Sequence, residues 1–367
     1  MNTELNQSIH AAAQIIADSE ALLMFGLDQL DMDSQVAALQ LADVTRATID
    51  HSLPNHHRGK VFAMQKNGKV TASWGEIRRR SDLLVCWFSD PATEHPEAFE
   101  ILNDATVPSR KLVVVGQHPS KTSLLAEAAI TVDRRHSNDL IAIIRAMNSN
   151  RPFDSNRFDD RLIETATQIV SCLESASNVA WLLPHAADGA DAELDLESES
   201  LGLLIDELNR ELPVFAVSLG DTNQTGAEYC LTAFGGFPCA IDLRRGFPRY
   251  QQNEHSAKQL LDRQQCDTVI VFTTPDYKLA TDESTREVLD QLQVIEIGHG
   301  QLANANLLIP ATLSDRAGTF RYLRADGAML SRQIELKTTS SQEVIETLMS
   351  VVKPSGCNSE IERSPSP

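Results

Sequence analysis

The sequence predicts an α/β fold built on parallel sheets, and three observations carry that prediction. Short apolar runs rich in leucine and β-branched residues recur along almost the whole chain. Segments with apolar residues three and four apart separate them. The runs are uninterrupted rather than alternating, as strands covered on both faces are.

Nine runs are expected to be strands: Ala21–Gly26, Asp82–Phe88, Lys111–Gly116, Ala129–Val132, Asn178–Leu183, Val214–Leu219, Asp267–Phe272, Val294–Ile297 and Asn306–Ile309. The helical pattern falls on Ile9–Ala17, Gln35–Arg46, Asp139–Met147, Arg161–Glu174, Ser200–Arg210, Ser256–Arg263 and Gln342–Val352. Two doubly wound, Rossmann-like units fit this strand count. The polar stretch Asn148–Asn156 reads as a loop or a junction between subdomains. Pro354 onward is rich in serine and proline and is expected to be disordered.

A chain of 367 residues is long enough for two cores. The net charge of −19, from 32 basic and 51 acidic residues, sets it against nucleic acid and anionic membranes, which carry the same sign. Acidic residues crowd Asp188–Ser200, read as a solvated loop entering a helix. No run approaches the roughly 20 apolar residues of a membrane span. The first residues show no secretory pattern, so a cytoplasmic location is expected.

Six cysteines occur, at positions 86, 172, 230, 239, 266 and 357, with no Cys-x-x-Cys pair. Local signatures of an iron-sulfur cluster or structural zinc are therefore absent, and reduced, buried thiols are expected. His51, His56, His57 and His95 offer zinc-type ligands, but their spacing matches no metal motif, so no metal site is expected. Arg78, Arg79 and Arg80 read either as a helix C-terminus facing water or as a site for an acidic ligand tail. Arg244, Arg245 and Arg249, interleaved with Phe247 and Tyr250, form the densest basic-aromatic patch. That patch fits an intersubunit contact or internal ion pairs with Asp242 and Glu254. No G-x-S-x-G elbow or G-x-G-x-x-G array is present, which speaks against an independent hydrolase or a nicotinamide enzyme.

Four stretches together resemble the B subunit of formylmethanofuran dehydrogenase, a branch of the molybdopterin oxidoreductase superfamily. The first is Ala47–Glu100, containing WGEIRRRSDLL and WFSDPATEHP. The second is Ile130–Ala146, ITVDRRHSNDLIAIIRA. The third and sharpest is Thr225–Ala257, with GGFPCAIDLRRGFPRY, and the fourth is Ile309–Met329. The resemblance implies the molybdopterin oxidoreductase fold, with residues 1–54 and 175–352 in one subdomain, 55–174 in another and 353–367 as a tail.

Departures from the family pattern then shape the functional expectation. Where the family has a metal-ligating cysteine before histidine, this sequence has His56-His57-Arg58-Gly59. The family's closely spaced cluster-binding cysteines precede that point, whereas the first cysteine here is Cys86, so the iron-sulfur module is expected to be absent. A glycine-containing turn has become Phe88-Ser89-Asp90-Pro91. Histidine is a poor replacement for the sulfur ligands of tungsten or molybdenum. His56, His57, Ser89 and Asp90 are thus expected to be vestigial pterin and metal positions, with no catalytic residue and no cofactor.

This combination resembles the B subunit of the bacterial formyltransferase/hydrolase complex of tetrahydromethanopterin-linked one-carbon metabolism. The resemblance implies a non-catalytic structural subunit, partnered by an amidohydrolase-like A subunit, a C subunit and a formyltransferase D subunit. Such an assembly passes formyl units between formyl-methylofuran and tetrahydromethanopterin and releases formate. The alternative is a redox-active B subunit of formylmethanofuran dehydrogenase. A free-standing binding protein for a nucleotide or acidic metabolite is a third reading.

Overall fold

The structure is a computed structural model that describes residues 3–53, 58–104, 110–184, 192–219, 223–275, 277 and 283–352. In chain order its strands are β1 (Leu22–Phe25), β2 (Thr48–Ile49), β3 (Leu83–Trp87), β4 (Lys111–Gly116), β5 (Ala128–Thr131), β6 (Val179–Leu183) and β7 (Val214–Ser218). There follow β8 (Ile241–Asp242), β9 (Arg249–Tyr250), β10 (Thr268–Thr273), β11 (Gln293–Gly298), β12 (Leu307–Pro310), β13 (Thr319–Leu323) and β14 (Met329–Gln333). Each of the nine expected runs is one of these strands, within one or two residues at the ends.

The chain forms two compact units. The first comprises Met1–Pro54, Thr222–Leu323 and Met329–Pro367; the second comprises Asn55–Asp221 and Arg324–Ala328. The expected return to the first unit at residue 175 is therefore corrected to Thr222. The reason is strand pairing: β6 registers against β3 from Leu83↔Val179, and β7 pairs with β6, so both belong to the second unit's sheet. Asn148–Asn156 is likewise a loop inside the second unit, between helices Ser137–Asn148 and Asp160–Glu174.

The second unit's sheet is wholly parallel in the order β5-β4-β3-β6-β7. That is the doubly wound order, with a reversal between β3 and β6. Alternate residues of one strand explain why helices cover both faces. Leu83, Val85 and Trp87 point into a core shared with Ile141, Ile144 and Leu204, while Leu84 and Cys86 point into another with Phe99 and Leu102. Trp87 and Trp181, with ring centroids 5.7 Å apart, fill the first of these cores.

The first unit's sheet runs β12-β11-β10-β1-β2-β8-β9. Pairing is parallel from β12 to β2, and the short β8 and β9 add an antiparallel edge. The expectation of a purely parallel sheet is corrected at that edge. Leu22 and Met24 face one core and Leu23 and Phe25 the other, so this sheet too is covered on both sides. A separate antiparallel hairpin, β13-β14, completes the described strands. Helix starts follow ordinary capping chemistry: Asp31 accepts from the amides of Asp33 and Ser34, and Ser340 accepts from that of Glu343. Among the described residues no helix is long and apolar enough to cross a membrane.

Candidate functional site

In an open α/β sheet, ligands bind beyond the carboxyl ends of the strands where the winding reverses. In the second unit that place is the end of β3 beside the end of β6, and the segment leaving β3 is Phe88-Ser89-Asp90-Pro91. Two of the expected vestigial positions, Ser89 and Asp90, therefore lie at the switch point. The other two, His56 and His57, lie outside the described residues.

Ser89 and Asp90 are both engaged internally. The Ser89 hydroxyl donates to the Leu182 carbonyl at 3.2 Å, tying together the two strand ends that border the crevice. Asp90 accepts from the Thr122 amide at 2.8 Å and from the Thr122 hydroxyl. Burial raises the Asp90 carboxyl, but the hydrogen bonds from Thr122 and Thr93 outweigh it, and the group lies below the ordinary carboxylate range. It is an anion at neutral pH, which opposes a ligand pyrophosphate.

Phe88 has φ +46°, a left-handed conformation that suits glycine and strains a bulky residue. Its ring stands edge-on to Trp87, 5.4 Å between centroids, and the Arg134 guanidinium lies 5.2 Å from the ring centre. Arg134 pairs in turn with Glu197 at 3.4 Å. Glu197 is buried and accepts from the Trp87 indole at 3.1 Å and the Ser137 hydroxyl at 2.7 Å. Residues 188–191 of the acidic stretch Asp188–Ser200 lie outside the described residues, and the helix it was expected to enter is Ala192–Leu208. The correction is Glu197, which is buried within that helix rather than solvated. A pterin pyrophosphate needs bare backbone here; the chain supplies a phenyl ring and carboxylates, and its one guanidinium, Arg134, is engaged by Glu197. The described residues of this edge do not fit the group.

Burial pushes the Cys230 and Cys266 thiols up to about 12 and holds Cys86 and Cys239 well above the usual thiol range. One trio, Asp50, His51 and Cys239, brings its ligand atoms within 4.8 Å of one another. Its carboxylate is occupied: Asp50 accepts from the amides of His51, Ala240 and Ala257 at 2.9, 3.1 and 2.8 Å. That makes Asp50 a clamp joining three segments of the first unit. His95 lies in the second unit, between helices Pro91–Glu94 and Pro96–Asn103, whereas His51 belongs to the first.

The first unit has its own reversal, between β1 and β10, and the residues there went unread in the sequence. Gly26, φ +90°, ends β1, and a Cβ there would meet the Phe272 carbonyl at 2.6 Å. Asp28 and Gln29 follow; the Gln29 amide donates to Asp28 at 2.8 Å and its carbonyl accepts from the Thr274 hydroxyl at 2.8 Å. Asp28 Oδ1 is buried without a hydrogen-bond partner. Burial, only partly offset by His51 and Gln29, raises this carboxyl to about 6. The signal was available in Leu22-Leu-Met-Phe-Gly-Leu-Asp28, an apolar strand ending in glycine with an acid two residues on.

Both arginine clusters make ion pairs within the chain, and Arg79 and Arg80 end their helix facing water. In the helix Trp74–Arg80, Arg78 pairs with Asp104, Arg80 with Glu76, and Arg79 donates to the Gly75 carbonyl. Arg244 and Arg249 converge on the fully buried Asp242, leaving Arg245 exposed.

These two largely parallel sheets, with a reversal in each, define a mixed α/β fold. Acetylene hydratase from Pelobacter acetylenicus shares the fold, with a TM-score of 0.53 at 10% identity over 94% of this chain and 58% of that one. A chain of the formyltransferase/hydrolase complex (FhcABCD) from Methylorubrum extorquens, solved with methylofuran, superposes with a TM-score of 0.77, 16% identity and 96% of each chain covered. The chain is homologous to the B subunit of formylmethanofuran dehydrogenase. It is 21% identical over 266 residues to the B subunit of the tungsten-containing formylmethanofuran dehydrogenase 2 of Methanococcus maripaludis. Its identity to the protein of the same description from Methanocaldococcus jannaschii is 23% over 275 residues. Those alignments cover 70% and 72% of this chain and 61% and 62% of the relatives, so the chain spans about three fifths of their length. No family model matches.

Proposed function

We propose that this chain is a structural, redox-inactive B subunit of a formyltransferase/hydrolase assembly. The observation that carries the reading is Phe88: a phenyl ring on a left-handed backbone, held by Trp87 and Arg134, at the place where a pterin pyrophosphate requires glycine. The His56-His57 pair, in place of a cysteine before histidine, supports it from the side of the metal. In this reading the assembly's chemistry belongs to an amidohydrolase-like A subunit, which hydrolyses formyl-methylofuran to formate. A formyltransferase D subunit exchanges the formyl group with tetrahydromethanopterin. This chain and a C subunit then hold the two active chains together, and no tungsten, molybdenum, pterin or [4Fe-4S] cluster is bound here.

Affinity purification of the tagged chain from its own cell tests the assembly directly. An amidohydrolase-like and a formyltransferase subunit are expected in constant ratio with it; recovery of the chain alone, at monomer size, would overturn the reading. The second reading, a redox-active formylmethanofuran dehydrogenase subunit, is favoured by the tungsten-containing description of both curated relatives. It requires metal in the purified protein.

A further inference from the structure

We propose that Asp50, His51 and Cys239 form a zinc site that staples the antiparallel edge of the first unit's sheet. A carboxylate oxygen, an imidazole nitrogen and a thiol sulfur lie within 4.8 Å of one another there, and all three residues are buried. Oxygen, nitrogen and sulfur together are the donor set of a divalent, borderline-soft ion, zinc above all. The set holds a single sulfur, so it does not restore a soft, electron-transferring centre. Zinc has no redox chemistry of its own, and the site stands whether or not the chain enters an assembly.

The local structure orients each donor. Asp50 and His51 directly follow β2, and Cys239 stands just before β8, the strand that pairs antiparallel with β2. The amides of His51 and Ala240 both fall on Asp50 Oδ1, whereas that of Ala257 falls on Oδ2. A carboxylate has about four acceptor positions, so Oδ2 keeps one for a cation while the amides fix its direction. Carboxylates and imidazoles that bind metals are held by hydrogen bonds in this way. Ser52 holds the His51 ring through Nδ1 at 2.8 Å, and Tyr250 hydrogen-bonds the Cys239 sulfur. Ala240, directly beside Cys239, takes φ +49°, a conformation costly for alanine that its surroundings must enforce.

Charge and distance both favour the ion. Asp50 is 3% exposed, and its hydrogen-bond partners among the described residues are backbone amides, which carry no charge. Buried charges are paired or bind metals. Bonds of about 2.3 Å to sulfur and about 2.0 Å to nitrogen and oxygen set ligands roughly 3.5 Å apart around a tetrahedral centre. The trio therefore closes on zinc by side-chain movements of about 1 Å, and water takes the fourth position. β2 and β8 are two residues each. A strand pair that short gains most from a metal cross-link, because the binding energy adds to folding.

The test strips the full chain of metal and titrates it with cobalt(II), which takes zinc sites and reports a thiolate ligand through its charge-transfer absorption. One cobalt per chain with that band is expected, and added zinc should displace it. Cys239→Ala should lose the band and weaken binding at least ~100-fold, more than the loss of a hydrogen-bond partner behind a ligand does. His51→Ala should weaken binding similarly. Cys172→Ala, which changes a half-buried cysteine of the second unit, should bind as the wild type does. X-ray absorption at the zinc edge of the zinc-loaded wild-type chain needs no variant to fold: one sulfur among nitrogen and oxygen ligands is expected. No band in the wild type, a band that survives Cys239→Ala, or a zinc shell without sulfur would each overturn the site.

Discussion

Two single residues carry consequences that measurement can reach. Phe88 adopts a backbone conformation that only glycine adopts without cost. Truncating its ring loses the contacts with Trp87 and Arg134 in Phe88→Ala and Phe88→Gly alike, but only glycine relieves the left-handed strain. Phe88→Gly should therefore be more stable than Phe88→Ala by about 1 kcal/mol in urea unfolding; the reverse order would contradict the conformation. Asp28 is the second. Its carboxyl, raised by burial to about 6 from an ordinary 3.8, binds a proton more readily folded than unfolded. Its contribution is complete below pH 3.8 and is lost as pH rises through 6. Asp28→Asn should then stabilise the protein at pH 8 by about 1 kcal/mol, a figure discounted for its partial exposure. The variant should also flatten the pH dependence between about 4 and 6 relative to wild type. A variant less stable than wild type at pH 8 would mean that the ionised carboxylate is held by a partner.

At the scale of elements, the helix Ala192–Leu208 is tied to the second sheet through one buried acid. Glu197→Ala leaves the Trp87 indole and the Ser137 hydroxyl without their acceptor and Arg134 without its counter-ion. A loss of about 3 kcal/mol is expected, read as a lowered thermal midpoint; a neutral result would show the network to be dispensable. The same helix shows where sequence reading stops. Its acidic stretch looks solvated residue by residue, and nothing in ESESLGLL marks Glu197 as the one turned inward. The nine expected strands were legible because each is a predominantly apolar run. β2, β8 and β9 were not, because two residues carry no periodicity. β13 and β14 had a signal that went unused: Asp326-Gly327 between TFRYL and MLSRQ is a hairpin turn pair. Of the candidate site, Ser89 and Asp90 were legible through family likeness, and the structure puts them at the switch point. Their bonds to Leu182 and Thr122 come from residues about 90 and 30 positions away, which no local pattern encodes.

For the whole molecule, doubly wound topology creates a ligand crevice in each unit whether or not the chain still uses it. In the second unit Ser89 and Asp90, at the switch point, are bonded to Leu182 and Thr122. The first retains Asp28 with a buried oxygen lacking a partner, beside β10. In the proposed reading fold and chemistry have separated: the sheets resemble those of a metal-pterin enzyme, while the side chains at the second unit's switch point favour a scaffold. Elemental analysis of tungsten and molybdenum in the intact native assembly tests this separation most directly. Neither metal is expected above background, in an assembly that still hydrolyses formyl-methylofuran. One group-6 metal per chain, together with formate-dependent reduction of a redox dye, would show that fold and chemistry have stayed together.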